Sequence, residues 1–338
     1  MSYPLIILGA GASHDFADNK KLSPHYQPPL AKFLFNEESY HGLLNSYPRV
    51  AQLASTINPL LRNPKNNFET TLGNIAKQQE SRLEIKKQLT ELRYYLRELF
   101  FETSTRYYRA TNHYAALIER VRNVVLPDGG STKVVYVSYN YDTLLERSFG
   151  IENFQELSSY ISGLEIIVKL HGSHNWGYEI KNSHGPIAGD LQDRVINEPI
   201  LFQKAEEGQL LVVDDESYHN PAERKLPAIA IPINDKSRQY ICDTSHIKAL
   251  DNELAMVDRV IIIGWQGADT FLLEKIKRTG KFFPTIYIKD KKPSIFETEG
   301  ILKYFEKYNL KIEKTDGIFF GGFSAFLETT QLERFLEQ

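Results

Sequence analysis

Pro4-Leu5-Ile6-Ile7-Leu8-Gly9-Ala10-Gly11-Ala12-Ser13 decides how the chain is read. A short unbroken apolar run ending in glycine is the signature of a strand buried on both faces, as in a parallel sheet. Gly9-x-Gly11 behind it opens a tight turn. Glycine has no Cβ, so backbone N–H groups can approach an anion there while the next helix presents its positive end. The third glycine of the dinucleotide fingerprint is absent, because position 14 is His14. A phosphate-binding turn and an ordinary βα turn both stay open, and Ser13 reads either as a helix cap or as a phosphate contact.

The same pattern recurs downstream. Lys133–Val137 reads as a strand and runs into Ser138-Tyr139-Asn140-Tyr141-Asp142 and a helical Thr143–Phe149. Ile166–Leu170 runs into His171-Gly172-Ser173. A helix over His246–Val257 leads to a strand at Arg259–Ile263 and the turn Gly264-Trp265-Gln266-Gly267-Ala268-Asp269. Thr285–Ile288 ends at Lys289-Asp290, ahead of a helix over Ile301–Tyr308. Strand, polar turn and helix repeated in this way predict an α/β fold: a Rossmann-like parallel sheet with helices on both faces.

The remaining segments are less regular. Prolines at 24, 28, 29, 48, 59 and 64 predict loops and short helices between Leu22 and Pro64. From Phe68 to Val125 the period is helical: Ile85, Leu89, Leu92, Leu96 and Leu99 share one face. Pro127-Asp128-Gly129-Gly130 stops that pattern. Gly177–Asp193 reads as loop, Ile200-Leu201-Phe202 and Leu210–Val213 as hairpin-like pieces, Ala228–Pro232 as a short strand, and the tail from Phe319 to Phe335 as packing back on the body. The expected organisation is a catalytic sheet domain over 1–20 and 127–338, with a mainly helical insertion over 21–126 that either covers the sheet or mediates assembly. Tyr94, Tyr95, Phe100, Phe101, Tyr107 and Tyr108 are more aromatics than one helix face usually buries, which is the argument for assembly.

Composition narrows the function. The 338 residues carry 40 basic and 43 acidic side chains, a net charge of −3. That balance gives no broad electrostatic reason to bind nucleic acid or an anionic membrane. The single Cys242 excludes an intrachain disulfide and any zinc ribbon of paired cysteines, and it suits a reducing compartment. Cys242 and His246 form a C-x₃-H pair without a second pair, so no metal is expected. The apolar runs are too short to span a bilayer and no basic leader precedes the first strand, so the expectation is a soluble cytoplasmic protein.

Polar or glycine-rich elements follow each strand, and in open α/β sheets ligands bind at those carboxyl ends. Asn140 and Asp142 are two apart, so both either point into one crevice or form an Asx turn that caps the next helix. His171, followed by Gly172, is either a general base or a structural histidine. Gly264, Gly267 and Asp269 form a second glycine turn or a plain βα loop.

Taken together, these motifs resemble the sirtuin superfamily, and specifically the zinc-less sirtuin-like NAD-cleaving domains of bacterial antiphage defence systems. Gly9-Ala10-Gly11-Ala12-Ser13 is similar to that family's GAGxS, Ser138-Tyr139-Asn140-Tyr141-Asp142 to its (T/S)xNxD, Lys169-Leu170-His171-Gly172-Ser173 to its KLHG, and Ile263-Gly264-Trp265 with Asp269 to its late glycine turn. The four occur in family order over positions 9 to 269. The two CxxC pairs and the GIPDFR-like segment of lysine deacylases are absent. The resemblance implies an NAD+ glycohydrolase that releases nicotinamide and ADP-ribose and depletes NAD+ as an abortive-infection effector. ADP-ribosyl transfer, sirtuin-type deacylation and a non-enzymatic nucleotide-sensing subunit are the alternatives.

The resemblance also implies roles. Asn140 would hold the ribose and the attacking water, His171 would assist as a base, and Asp142 would orient the nicotinamide end. Gly9, Ala10, Gly11 and Ser13 would hold the diphosphate, with Gly264 and Trp265 on the adenosine side, Asp269 among the cofactor-binding residues, and Lys289 or Asp290 at a ribose. Effectors of this kind are switched on by assembly, so it implies a homo-oligomer and a separate partner, a HerA-type hexameric ATPase.

Overall fold

A computed structural model describes residues 3–16, 27–63, 66–78, 82–127, 132–179, 191–199, 208–214, 225–233, 240–267, 269–290, 295–313 and 317–338. The first strand, β1 (Pro4–Leu8), enters a one-turn helix α1 (Ala10–His14). Five helices follow: α2 (Glu37–Asn45), α3 (Pro48–Leu61), α4 (Phe68–Ala76), α5 (Leu83–Tyr107) and α6 (His113–Val125). Then come β2 (Val134–Ser138), α7 (Leu144–Phe149), β3 (Glu165–Lys169), β4 (Gly172–Glu179), α8 (Leu191–Asn197), β5 (Leu210–Val212) and β6 (Lys225–Ile229). The last third contains α9 (Thr244–Leu254), β7 (Arg259–Ile263), α10 (Thr270–Arg278), β8 (Phe283–Lys289), α11 (Ile295–Glu306), β9 (Leu310–Ile312), β10 (Ile318–Phe320), α12 (Gly322–Leu327) and α13 (Gln331–Glu337).

Seven strands form one sheet, ordered β10-β8-β7-β1-β2-β3, with β9 sharing the outer edge of β8 with β10. Every pairing in it is parallel. The strands are apolar throughout because both faces are covered, and the two-residue period sorts their side chains between two cores. Ile6, Leu8, Val134, Tyr136, Ile167, Ile261 and Ile263 face the larger core, built with α3 to α7, α12 and α13. Leu5, Ile7, Val135, Val137, Val168, Val260 and Ile262 face the smaller one, which holds Leu250, Leu254, Leu272, Leu273, Ile276 and Phe305. This is the expected Rossmann-like α/β architecture.

The helices of 27–125 share the larger core with the sheet. Glu91 of α5 accepts the Val50 amide at the start of α3 at 2.8 Å, fixing two of these helices to each other. Of the five aromatics on α5, Tyr94, Tyr95, Phe100 and Tyr107 are buried, and Tyr108 follows its end. Tyr95 packs on Phe35 and Tyr47, Tyr107 and Tyr108 on Phe16, Phe100 on Tyr141, and Phe101 on His174. The aromatic excess is packed within the chain.

Three sequence expectations need correction. The loop placed at Gly177–Asp193 begins as strand: β4 runs through Glu179 and pairs antiparallel with β5 and β6 in a second, three-stranded sheet against α5. The short strand expected at Ala228–Pro232 lies three residues earlier. α3 is 14 residues long, with Pro59 in its last turn, where a short helix was expected. Residues 128–130 and 200–202, the helix stop and a hairpin-like piece, fall outside the described residues. No helix is long and apolar enough to cross a membrane, and no cluster of His, Cys, Asp or Glu could hold a metal ion, among the described residues.

Candidate functional site

From β1 the chain builds outward to β2 and β3, then crosses back and builds β7 and β8 on the other side. The reversal falls between β1 and β7, whose carboxyl ends carry Gly9 and Gly264. The two glycine turns interlock: the Gly9 N–H donates to Ile263 O at 3.0 Å and the Gly11 N–H to Gly264 O at 3.0 Å. A Cβ on Gly9 would stand 2.6 Å from Gly264 O, and one on Gly264, whose φ is +64°, would stand 2.3 Å from Ala12 N. These glycines permit a backbone approach that no side chain could. Their amides are engaged in that approach, and the exposed residue of the first turn is Ala10.

The β2–β3 register sets Ser138 beside Lys169, so Asn140 and His171, each two residues further on, leave the sheet at the same level. Ser13 lies inside α1, and its hydroxyl accepts Asn140 Nδ2 at 2.9 Å and sits 2.9 Å from the Tyr114 hydroxyl. Asn140 Nδ2 also reaches Tyr114 at 3.2 Å. The triangle fixes the amide, and Asn140 Oδ1 is buried with no hydrogen-bond partner among the described residues. A buried acceptor left unpaired is costly.

Asp142 accepts the Leu144 amide at 3.1 Å, so the Asx turn is present, and the side chain is buried in the same cluster. Burial pushes its carboxyl above the usual range, against the opposing pull of Lys169, the Ser13 hydroxyl and the Leu144 N–H. Beneath the site, the fully buried Lys169 donates to Asp142 O at 2.5 Å and Glu146 Oε1 at 2.8 Å. That buried ion pair ties the end of β3 to α7.

His171 is 7% exposed, and its Nε2 lies 2.9 Å from Asp269 Oδ2. Asp269 Oδ1 accepts the Tyr240 hydroxyl and the Phe271 N–H, both at 2.9 Å, the latter capping α10. Burial alone would raise the Asp269 carboxyl. The His171 hydrogen bond and charge, with help from Phe271 N and Tyr240, hold it below the usual carboxylate range. The Tyr139 ring meets His171 edge-on at 4.9 Å and stacks flat on Trp265 at 4.8 Å. The Tyr139 hydroxyl is also buried without a hydrogen-bond partner among the described residues. His174, three residues on, packs as a buried histidine 3.0 Å from Thr143 Oγ1, and burial, with Arg97, Lys169 and Arg147 nearby, holds it well below its ordinary pKa.

The structure thus brings together Gly9, Gly11, Gly264, Ser13, Asn140 and Asp142 at adjacent strand ends, with His171 and Asp269 beside them. Trp265 is buried, one face against Tyr139, with Phe305 also against it. Asp290 is exposed past β8, near Gly322. Sequence reasoning missed Tyr114 and Tyr240, which arrive from α6 and from a loop far away in the chain and carry no local motif. Tyr139 lay inside a quoted motif, and its stacking could not be read there.

No model of a known family matches the chain, and no curated protein matches it. Solved structures overlap it loosely, three of them as follows. One is described as the structural basis for the mechanism and regulation of Sir2 enzymes (TM-score 0.37, 13% identity, covering 99% of this chain and 91% of that one). Another is a Sir2 homolog–NAD complex (0.36, 11%, 99% and 89%). The third is Sir2Af2 bound to a myristoylated histone peptide (0.38, 12%, 99% and 90%). This chain is similar to Sir2 enzymes in that loose sense.

Proposed function

We propose that the chain is an NAD+ glycohydrolase, with NAD+ as substrate. The observation that carries this reading is the orphaned Asn140 Oδ1 set level with a buried His171–Asp269 pair beside the strand-reversal crevice. A sugar hydroxyl or a water satisfies that oxygen, and the crevice beside the glycine turns is where open α/β sheets take nucleotides. The motif resemblance supplies the substrate class.

The step balances as NAD+ and water giving nicotinamide, ADP-ribose and a proton. The ribose C1′–nicotinamide bond breaks with its electron pair leaving on nicotinamide, and the water oxygen bonds C1′. Asn140 holds the ribose or the water, His171 accepts the proton, and Asp142 orients the nicotinamide end. Gly9, Ala10, Gly11, Ser13 and Gly264 shape the diphosphate end, and Asp290 lies toward the adenosine. Trp265 contributes by locking Tyr139.

The wider proposal follows the resemblance: a cytoplasmic antiviral effector that depletes NAD+, working as a homo-oligomer with a HerA-type ATPase. In it, 1–20 and 127–338 form the catalytic domain and 21–126 the helical insertion. Nicotinamide release from NAD+, followed with and without such an ATPase, tests the reading. His171→Ala and Asn140→Ala should each lose activity by about 10²- to 10⁴-fold while staying folded. Full activity in either variant refutes the assignment, and a modified macromolecule in place of free ADP-ribose would favour transfer.

A further inference from the structure

We propose that Asp269 is a positioning residue for His171, fixing the imidazole as the Nε2–H tautomer so that Nδ1 is the nitrogen that takes the proton. The inference deepens the NAD+-cleavage reading and rests on it for its kinetic consequence only.

The geometry is that of a carboxylate with both oxygens occupied. Asp269 is fully buried. A helix cap requires one oxygen, and Oδ1 already serves the Phe271 N–H at 2.9 Å. Oδ2 is directed at His171 Nε2 across 98 residues of chain. An ionised carboxylate only accepts, so the hydrogen between these atoms belongs to Nε2, and the lone pair lies on Nδ1. The Tyr240 hydroxyl, also donating to Oδ1, helps hold the carboxylate in place. Tyr240 in turn packs on Phe271 with ring centroids 4.1 Å apart.

The rest of the imidazole's surroundings agree with a ring whose orientation matters. The His171 main-chain carbonyl accepts the Ala230 N–H at 2.9 Å, and the His171 backbone bridges in parallel to Ile241. Tyr139 sits edge-on against the ring and is braced by Trp265. The backbone, one ring edge and Nε2 are all fixed. The carboxylate also stabilises the imidazolium formed when the proton arrives, as an orienting Asp does behind a catalytic histidine.

Asp269→Asn is the informative variant, because its side-chain oxygen still caps α10 while its NH₂ donates to Nε2 and forces the proton to Nδ1. Two measurements decide. Nitrogen-15 NMR of histidine-labelled protein, with the His171 signals assigned by their loss in His171→Ala, should show Nε2–H in the wild type and Nδ1–H in Asp269→Asn. The same tautomer in both overturns the inference whether or not NAD+ is cleaved. In steady-state kinetics, Asp269→Asn should lower kcat about 10²- to 10⁴-fold with KM for NAD+ unchanged, and an unchanged kcat also overturns it. Tyr240→Phe, which removes one hydrogen bond and no charge, should lower kcat by less, and a larger loss than in Asp269→Asn would overturn the proposed order. If the wild type releases no nicotinamide in any assembly state, the NAD+ reading fails, and the tautomer comparison still decides this one.

Discussion

Gly264 and Gly280 make a matched pair for testing why the glycine turns exist. Both have left-handed backbone, with φ of +64° and +72°. A Cβ on Gly280 meets nothing within 4 Å, whereas one on Gly264 would lie 2.3 Å from Ala12 N and 2.5 Å from Gly11 C. Placing alanine in this conformation costs about 1–2 kcal/mol, offset by about 0.4–1 kcal/mol of lost unfolded-state entropy. Gly280→Ala should therefore destabilise by about 1 kcal/mol. Gly264→Ala carries the same strain plus a backbone collision that no rotamer relieves. Overpacking costs about 1–3 kcal/mol, and the upper end applies where the neighbour is main chain, for a total of about 3–4 kcal/mol. Urea unfolding of both variants by circular dichroism measures the difference. Equal destabilisation would refute the claim that the β1 and β7 turns need glycine for their mutual approach.

Other outcomes follow from the same structure. Burial raises the folded-state pKa of Asp142, so its contribution to stability is present below the unfolded pKa and lost as pH rises through the folded one. Asp142→Asn keeps an acceptor for Leu144 N and should grow more stable relative to the wild type as pH climbs through the carboxylate range, while losing NAD+ turnover. A pH-independent difference in unfolding free energy would contradict this. Arg120 of α6 pairs with Glu333 and donates to the carbonyls of Leu327 and Thr329, anchoring α13. Arg120→Ala should cost about 1–3 kcal/mol and lower amide protection over 331–337. Because Arg120 holds the Glu333 carboxyl below its usual range, that anchor is intact above the ordinary carboxylate pKa and weakens as pH falls. Unchanged hydrogen exchange in the variant at neutral pH would exclude the anchor. Leu92→Ala, at a fully buried position of the larger core, should cost about 2–5 kcal/mol by urea unfolding.

The parallel strands were legible because a strand covered on both faces has to be apolar along its whole length, and each ends in a turn whose glycines or short polar residues are local signals. β1 and β7 lie where the sequence placed them, and β2 and β8 lie within two residues. β4 was not legible: Gly172-Ser173-His174-Asn175-Trp176 has no alternation that marks a strand, and its partners lie 32 to 57 residues downstream. The outer edge was missed for a related reason, since β9 and β10 are three-residue strands that gain stability only by sharing β8. At the site, Asn140 and His171 were found because their neighbours make motifs. Tyr114 and Tyr240 were not, because nothing local distinguishes a tyrosine that points at Asn140 or Asp269 from one in the core.

Amino-acid order alone fixed the strand-and-turn grammar, the helical content of 68–125 and the residues at the strand ends, because these depend on period and on backbone freedom within a few residues. Only the tertiary structure decided what those residues touch. It turned the two glycine motifs into one interlocked turn, gave Asn140 a fixed amide with an oxygen unpaired among the described residues, and set Asp269, expected among the cofactor-binding residues, against His171. Each of those outcomes includes a contact about 100 or more residues apart, between groups whose burial makes an unmet hydrogen bond costly, and no local pattern encodes it.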